Sequence, residues 1–201
     1  MAPVLQVQDL HFAYPGQPPL FNGLAFTLPA GLTRLDAELG KTTLLKVLAG
    51  DLRAQGRFVL NGQPWDPAMQ PQAACRIDPR DPAWDALTPD QMLDRVRTQH
   101  PALDSRTWER LLTDFDLQQH RRKTMHMLST GSRRKVALAA SLATGAAVTL
   151  LDEATAGLDK PAVDVLATAL AEQAGQPARA WLLAAAWGLE DRLPWAAVLD
   201  F

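Results

Sequence analysis

Apolar positions along this chain recur first at every second residue, then at every third or fourth, then again as short buried runs. From Val4 to Tyr14 the alternation puts Val4, Gln6, Gln8 and Leu10 on one side and Leu5, Val7, Asp9 and His11 on the other. That predicts a strand, though not a cleanly two-faced one, ended by the turn Tyr14-Pro15-Gly16. Leu24 to Leu28 predicts a second strand, closed by Pro29-Ala30-Gly31, and Leu32 to Leu35 a third. The third runs through Asp36-Ala37-Glu38-Leu39 into Gly40-Lys41-Thr42-Thr43. Leu44, Leu45, Val47 and Leu48 then mark one face of a helix, and Gly50 sits where a C′ glycine stops it. Arg57 to Leu60 followed by Asn61-Gly62 predicts a strand entering a tight hairpin.

Gln63 to Pro89 is rich in Pro and Asp and predicts an irregular connection with one short strand near Ala73 to Ile77. From Thr88 the spacing turns helical, through Met92, Leu93 and Val96 and again through Trp108, Leu111, Leu112 and Phe115. Thr88-Pro89 suits a helix start, with Pro at the first helical position. Thr88 to Met127 is therefore a helical insertion between two sheet-forming halves. Leu128 to Asp159 follows: a Ser/Gly turn, an amphipathic helix, a loop at Gly145, the apolar strand AAVTLL ending on Asp152 and Glu153, and a second turn, ATAGLD. Pro161 to Ala174 predicts a helix, Ala180 to Ala185 a buried strand, and Trp195 to Phe201 a final strand.

At 201 residues the chain suits one domain, 1–201, with a core. The formal charge of −2 gives no hint of a nucleic-acid-binding surface. A single cysteine, Cys75, excludes an internal disulfide and a thiolate cluster, which favours a reducing compartment. His11, His100, His120 and His126 lack ligand spacing and read as surface or packing residues. No basic-then-apolar leader follows Met1, so no signal peptide is expected. The run Val136 to Leu151 is broken by Ser141, Thr144, Gly145 and Thr149 and falls short of the ~18–20 residues of a membrane span. Membrane association would have to come through a partner.

The chemistry concentrates at three turns. Gly40, Lys41, Thr42 and Thr43 stand at a strand–helix junction, where free N–H groups and the helix dipole favour phosphate. The Lys41 ammonium would reach terminal phosphates, and the Thr42 hydroxyl is a hard oxygen ligand suited to Mg²⁺. Taken alone, GKTT is equally a surface turn. Asp152 and Glu153, at the carboxyl end of a core strand, stand where open α/β sheets place ligand chemistry. Asp152 would hold Mg²⁺ and Glu153 would act as general base toward water; the plainer alternative is an acid pair capping a helix. Ser129, Gly131 and Ser132, in LSTGS, again offer N–H groups and hydroxyls at a helix start, or else an ordinary N-cap followed by Arg133, Arg134 and Lys135 on a solvated face.

Taken in order, these motifs resemble the ATP-binding-cassette ATPases of ABC transporters along essentially the whole chain. LSTGS is similar to the signature usually written LSGGQ, with Thr130 and Ser132 as departures. Leu150-Leu151-Asp152-Glu153 resembles Walker B, Ala156-Gly157-Leu158-Asp159 the D-loop, and Tyr14 the aromatic that stacks on adenine. The short length and GKTTLLKVLAG resemble compact bacterial members, including the haem-exporter type. The resemblance implies an α/β P-loop NTPase fold with a RecA-like core sheet, an N-terminal antiparallel β subdomain (both within 1–87 and 128–201) and an inserted helical subdomain, 88–127. It implies ATP and Mg²⁺ as cofactors, a homo- or heterodimer of cassettes, a transmembrane permease partner and a place on the cytoplasmic face of the inner membrane. Each ATP would lie between Gly40, Lys41 and Thr42 of one subunit and Ser129, Gly131 and Ser132 of the other, with Thr43 and Asp159 also among the nucleotide-binding residues.

Three positions depart from that pattern. GxxxxGK[ST] wants glycine five before Gly40, where Leu35 stands, and Glu38 takes another glycine position. Asp36 and Glu38 also bring negative charge, and the spacing fits loss of one or two residues from the loop. Asp78 falls where the Q-loop glutamine is expected, with shorter reach to metal or water. Ala186 falls at the switch histidine. One lost polar contact to the transition state costs ~10²–10³-fold in rate, so slow or conditional hydrolysis is expected. The alternative is a non-hydrolysing cassette with a binding or regulatory role. A soluble cassette acting on DNA or ribosomes fits less well, for want of a basic surface or a long coiled arm.

Overall fold

The computed structural model describes residues 3–184 and 187–201; the expected switch position, Ala186, and the last residue of the predicted strand, Ala185, lie outside them. Two sheets carry the architecture. Strands β1 (Leu5–Phe12), β2 (Phe21–Leu28), β4 (Gln55–Leu60) and β5 (Gln63–Pro64) form an antiparallel sheet in the order β2-β1-β4-β5. Strands β3 (Gly31–Asp36), β6 (Ala74–Arg76), β7 (Val148–Asp152), β8 (Ala180–Ala184) and β9 (Trp195–Asp200) form a parallel sheet in the order β6-β7-β8-β3-β9.

The parallel strands read as unbroken apolar runs because both their faces are covered. Successive side chains point to opposite faces. On β8, Trp181 and Leu183 join one core, while Ala180, Leu182 and Ala184 join the other. The first core holds the helices α2 (Pro89–Gln99), α3 (Ser105–Asp114), α4 (Thr130–Ala143) and α5 (Lys160–Gln173). The second holds α1 (Lys41–Leu48) and the antiparallel sheet. α4 is buried continuously from Val136 to Ala143, as expected of a helix wrapped by other elements. Met92, Trp108 and Leu111 share its core, so the helical insertion packs onto the rest of the chain.

β1 departs from its predicted alternation for a local reason. Its pairing slips between Gln8 and His11, and Asp9 takes φ 52. The bulge resets the phase, so Leu5, Val7 and Leu10 are all buried. The strand ends at Phe12, two residues short of Tyr14. Gly50 follows α1 at φ 81, and a Cβ there would stand 2.4 Å from the Pro67 carbonyl oxygen. Thr88 and Gln91 close a reciprocal capping box at the start of α2.

Candidate functional site

Four residues, Ala37 to Gly40, join β3 to α1. Leu35 is no part of that loop. It is a buried strand residue paired with Ala184 and Leu199. Glycine there would remove a core side chain without lengthening the loop, so the shortfall lies in loop length. Gly40 is the N-cap of α1 at φ 88, and a Cβ on it would come 2.9 Å from Phe21 Cε1. α2, α3, α4 and α5 begin on side-chain caps, Thr88, Asp104, Ser129 and Asp159. Among the described residues α1 has none, so none of their side chains caps its first-turn N–H groups, as an anion site there would need.

Around that turn, Lys41 donates its ammonium to the carbonyl of Ala37. Thr42 is exposed and Thr43 buried. Tyr14 Oη lies 3.0 Å from Thr43 Oγ1, and its ring meets Phe12 edge-on at 4.9 Å. The adenine-facing candidate is thus tied to the start of α1. Asp36 is paired with Arg34 at 2.8 Å, which offsets one of the two acids near the loop; Glu38 is exposed. A cavity of about 360 Å³ opens here, lined by Asp36, Ala37, Lys41, Trp187 and Glu190 among others.

The two acids leave the same carboxyl end of the parallel sheet, with β8 between their strand and β3. Asp152 closes β7, and its Oδ2 is buried with no hydrogen-bond partner among the described residues. Glu153 turns out of the strand at φ 48, its N–H donating to Ala184 O at 3.1 Å. A clamp from α4 holds this turn: the buried Arg134 guanidinium donates to the carbonyls of both Asp152 and Glu153. Burial lowers the Arg134 pKa, with the Glu153 carboxylate pulling the other way. The solvated-face reading of Arg133, Arg134 and Lys135 therefore fails at Arg134. Its signal was periodicity, since Arg134, Leu138 and Ser141 follow at i, i+4 and i+7 on one helix face.

Asp78 reaches the same end of the sheet with both oxygens engaged. Oδ1 accepts from the Arg80 N–H at 2.9 Å and from Arg80 Nε at 3.2 Å; Oδ2 accepts from Arg76 at 3.4 Å. Burial works against its charge, yet the hydrogen bonds from Arg80 prevail and hold the carboxyl below the usual range.

Ser129 caps α4: its Oγ accepts from Ser132 N–H at 3.1 Å and donates to Ser132 Oγ at 3.0 Å. Gly131 approaches the turn after β7 so closely that a Cβ would lie 2.8 Å from Gly157 O. Asp159 caps α5 through Ala162 N–H and pairs with Lys135 at 3.4 Å. The hollow at Thr130, lined by Pro79, Arg80 and Arg133, shares no residue with the cavity at Lys41. Sequence reading assigned no site role to Arg80 or Arg134, yet both come within 3.9 Å of Glu153, while Arg76 pairs with Asp78 and Lys135 with Asp159.

The profile of the family described as ABC transporter matches residues 39–156, more than half of the chain. The chain belongs to the ABC transporter family. It is 33% identical over 194 residues to the nickel import ATP-binding protein NikO of Rhodobacter capsulatus, an alignment spanning 87% of this chain and 75% of that protein. It is 30% identical over 200 residues to the cytochrome c biogenesis ATP-binding export protein CcmA of Paracoccus denitrificans, spanning 98% and 88%. A solved ATP-binding subunit of an ABC transporter superposes with a TM-score of 0.75 at 23% identity, over 90% of this chain and 79% of that one. The fold is therefore the P-loop NTPase fold of ABC cassettes, and the chain is an ATP-binding subunit of this family.

Proposed function

We propose that this chain hydrolyses ATP slowly and uses the closure of a cassette dimer to drive a membrane-spanning partner. The observation that carries the reading is the carboxyl end of the parallel sheet. There a helix start with Lys41 and Thr42, uncapped among the described residues, shares one rim with Glu153 and with Asp152, whose buried Oδ2 has no partner among those residues. The donor set fits Mg²⁺, which takes one or two protein oxygens and fills its octahedron with water and phosphate oxygens. Thr42 Oγ1 and Asp152 would hold it, with Asp78 reaching it through water; bound there, it would neutralise charge on the terminal phosphates.

Each residue then has a task. Gly40, Lys41, Thr42 and Thr43 bind the phosphates through backbone N–H groups and the ammonium, which must leave the Ala37 carbonyl to do so. Tyr14 stacks on the base. Glu153, held by Arg134, accepts the proton of the attacking water. Ser129, Gly131, Ser132 and Asp159 complete the neighbouring cassette's site. The whole chain acts as one nucleotide-binding domain, with 88–127 as its helical subdomain. The relatives are named for import and export, and no helix of the described residues is long and apolar enough to cross a membrane. In this reading the translocation path is supplied by the membrane-spanning partner, and this chain sits at the inner face of that membrane.

The test is ATP turnover by purified protein with Mg²⁺, alone and with its membrane partner. Turnover is expected to be slow in wild type and to vanish in Glu153→Gln, with ATP binding retained. Turnover unaffected by Glu153→Gln, or no ATP binding by wild type, would refute the reading.

A further inference from the structure

Glu153 stands between two guanidinium groups of unequal freedom. Arg134 comes within 3.9 Å of Glu153 Oε2 from the core side, but its side chain is only 7% exposed and is anchored by its Nη1, which donates to two backbone carbonyls. Arg80 comes within 3.9 Å of the same oxygen from the solvent side, with 60% of its side chain exposed. At that distance it makes no hydrogen bond to Glu153. Its side chain is held by one bond to Asp78, and exposed pairs of this kind are weak. The Arg80 backbone N–H also donates to Asp78, so the turn keeps its shape if the side chain moves.

A terminal phosphate arriving beside Asp152 and Glu153 needs positive charge near it. This chain is short of it on the loop side. Only Ala37 to Gly40 precede α1, Glu38 adds negative charge, and position 186 is alanine. We propose that Arg80 is a nucleotide-binding residue, which leaves Asp78 and donates its planar fork to the terminal phosphate of bound ATP. Guanidinium N–H groups suit a phosphate because two parallel bonds can form at once. The move also releases one of the two hydrogen bonds on Asp78 Oδ1, leaving the one from the Arg80 backbone N–H. The inference rests on the ATPase reading above and adds to it the residue that distinguishes triphosphate from diphosphate.

The test compares a non-hydrolysable ATP analogue with ADP, each with Mg²⁺, by displacement of a fluorescent ADP analogue from wild type, Arg80→Ala and Arg80→Lys. Arg80→Ala should bind the triphosphate about 10-fold or more weakly, the size of one charged hydrogen bond, and ADP as wild type does. Arg80→Lys keeps the charge without the fork and should show a smaller loss in the same direction; it carries the test if the alanine variant does not fold. Equal weakening of both nucleotides, or of neither, would overturn the proposal. If wild type binds ADP and triphosphate and both variants match it, this inference alone falls. If wild type binds neither nucleotide, the ATPase reading falls with it.

Discussion

Replacing Arg134 with methionine keeps the apolar stem and removes the guanidinium that donates to the carbonyls of Asp152 and Glu153. Two hydrogen bonds from a charged donor are worth ~1.5–3 kcal/mol each, or about 3–6 kcal/mol gross. Part is recovered, because a guanidinium no longer has to be stripped of water; burial already lowers the Arg134 pKa. A net loss of about 2–4 kcal/mol remains, a large share of the ~5–15 kcal/mol typical of a domain. For a chain of this size that corresponds to a fall in Tm of roughly 5–15 °C. Urea and thermal unfolding followed by tryptophan fluorescence measure it directly. Loss of turnover should accompany it, because Glu153 is held at φ 48 by this clamp. A methionine variant within about 0.5 kcal/mol of wild type would refute the reasoning, since the two carbonyls would then be satisfied without the arginine.

Two further outcomes follow from charge and burial. The Asp104 carboxyl is held below its usual range, first by the Thr107 hydroxyl and then by the Arg106 N–H. Asp104→Ala should cost about 1 kcal/mol at pH 7, as lost caps do. A depressed folded pKa stabilises above the unfolded carboxylate value of ~3.9 and stops doing so as pH falls through the folded value, so the gap should close below about pH 4. An equal gap at pH 3 and pH 7, by urea titration, would contradict this. Burial pushes the Cys75 thiol up to about 11, against hydrogen bonds from Thr144 and Ser141. Native protein at pH 8 should therefore not react with a thiol-specific disulfide reagent until urea unfolds it, and labelling at a free-thiol rate would show the site to be open.

Legibility in the sequence tracked the range of the forces involved. The cap residues Thr88 and Ser129, the stop at Gly50 and the apolar runs of β7 and β8 depend on neighbours in the chain, so spacing revealed them. The bulge at Asp9 was hidden because it is settled by partners in β2 and β4. Leu35 read as a failed loop glycine because pattern matching counts positions, whereas the fold assigns it by the buried pairing of β3 with β8 and β9. Arg134 was hidden for a similar reason: a charged residue beside two others suggests solvent, and only the return of β7 under α4 supplies the carbonyls that allow its burial.

The order β6-β7-β8-β3-β9 has a consequence for how the chain matures. β3, which launches Lys41, is flanked by strands formed from residues 180–184 and 195–200. A nascent chain that has emerged through Asp159 displays every recognisable motif yet lacks both neighbours of the strand that positions the phosphate loop. Pairings that span most of the sequence form late, because loop-closure entropy must be met before they repay it. Nucleotide is therefore a ligand of the finished molecule and cannot template its early folding. During synthesis β3 waits with two open edges, and β8 and β9 close them.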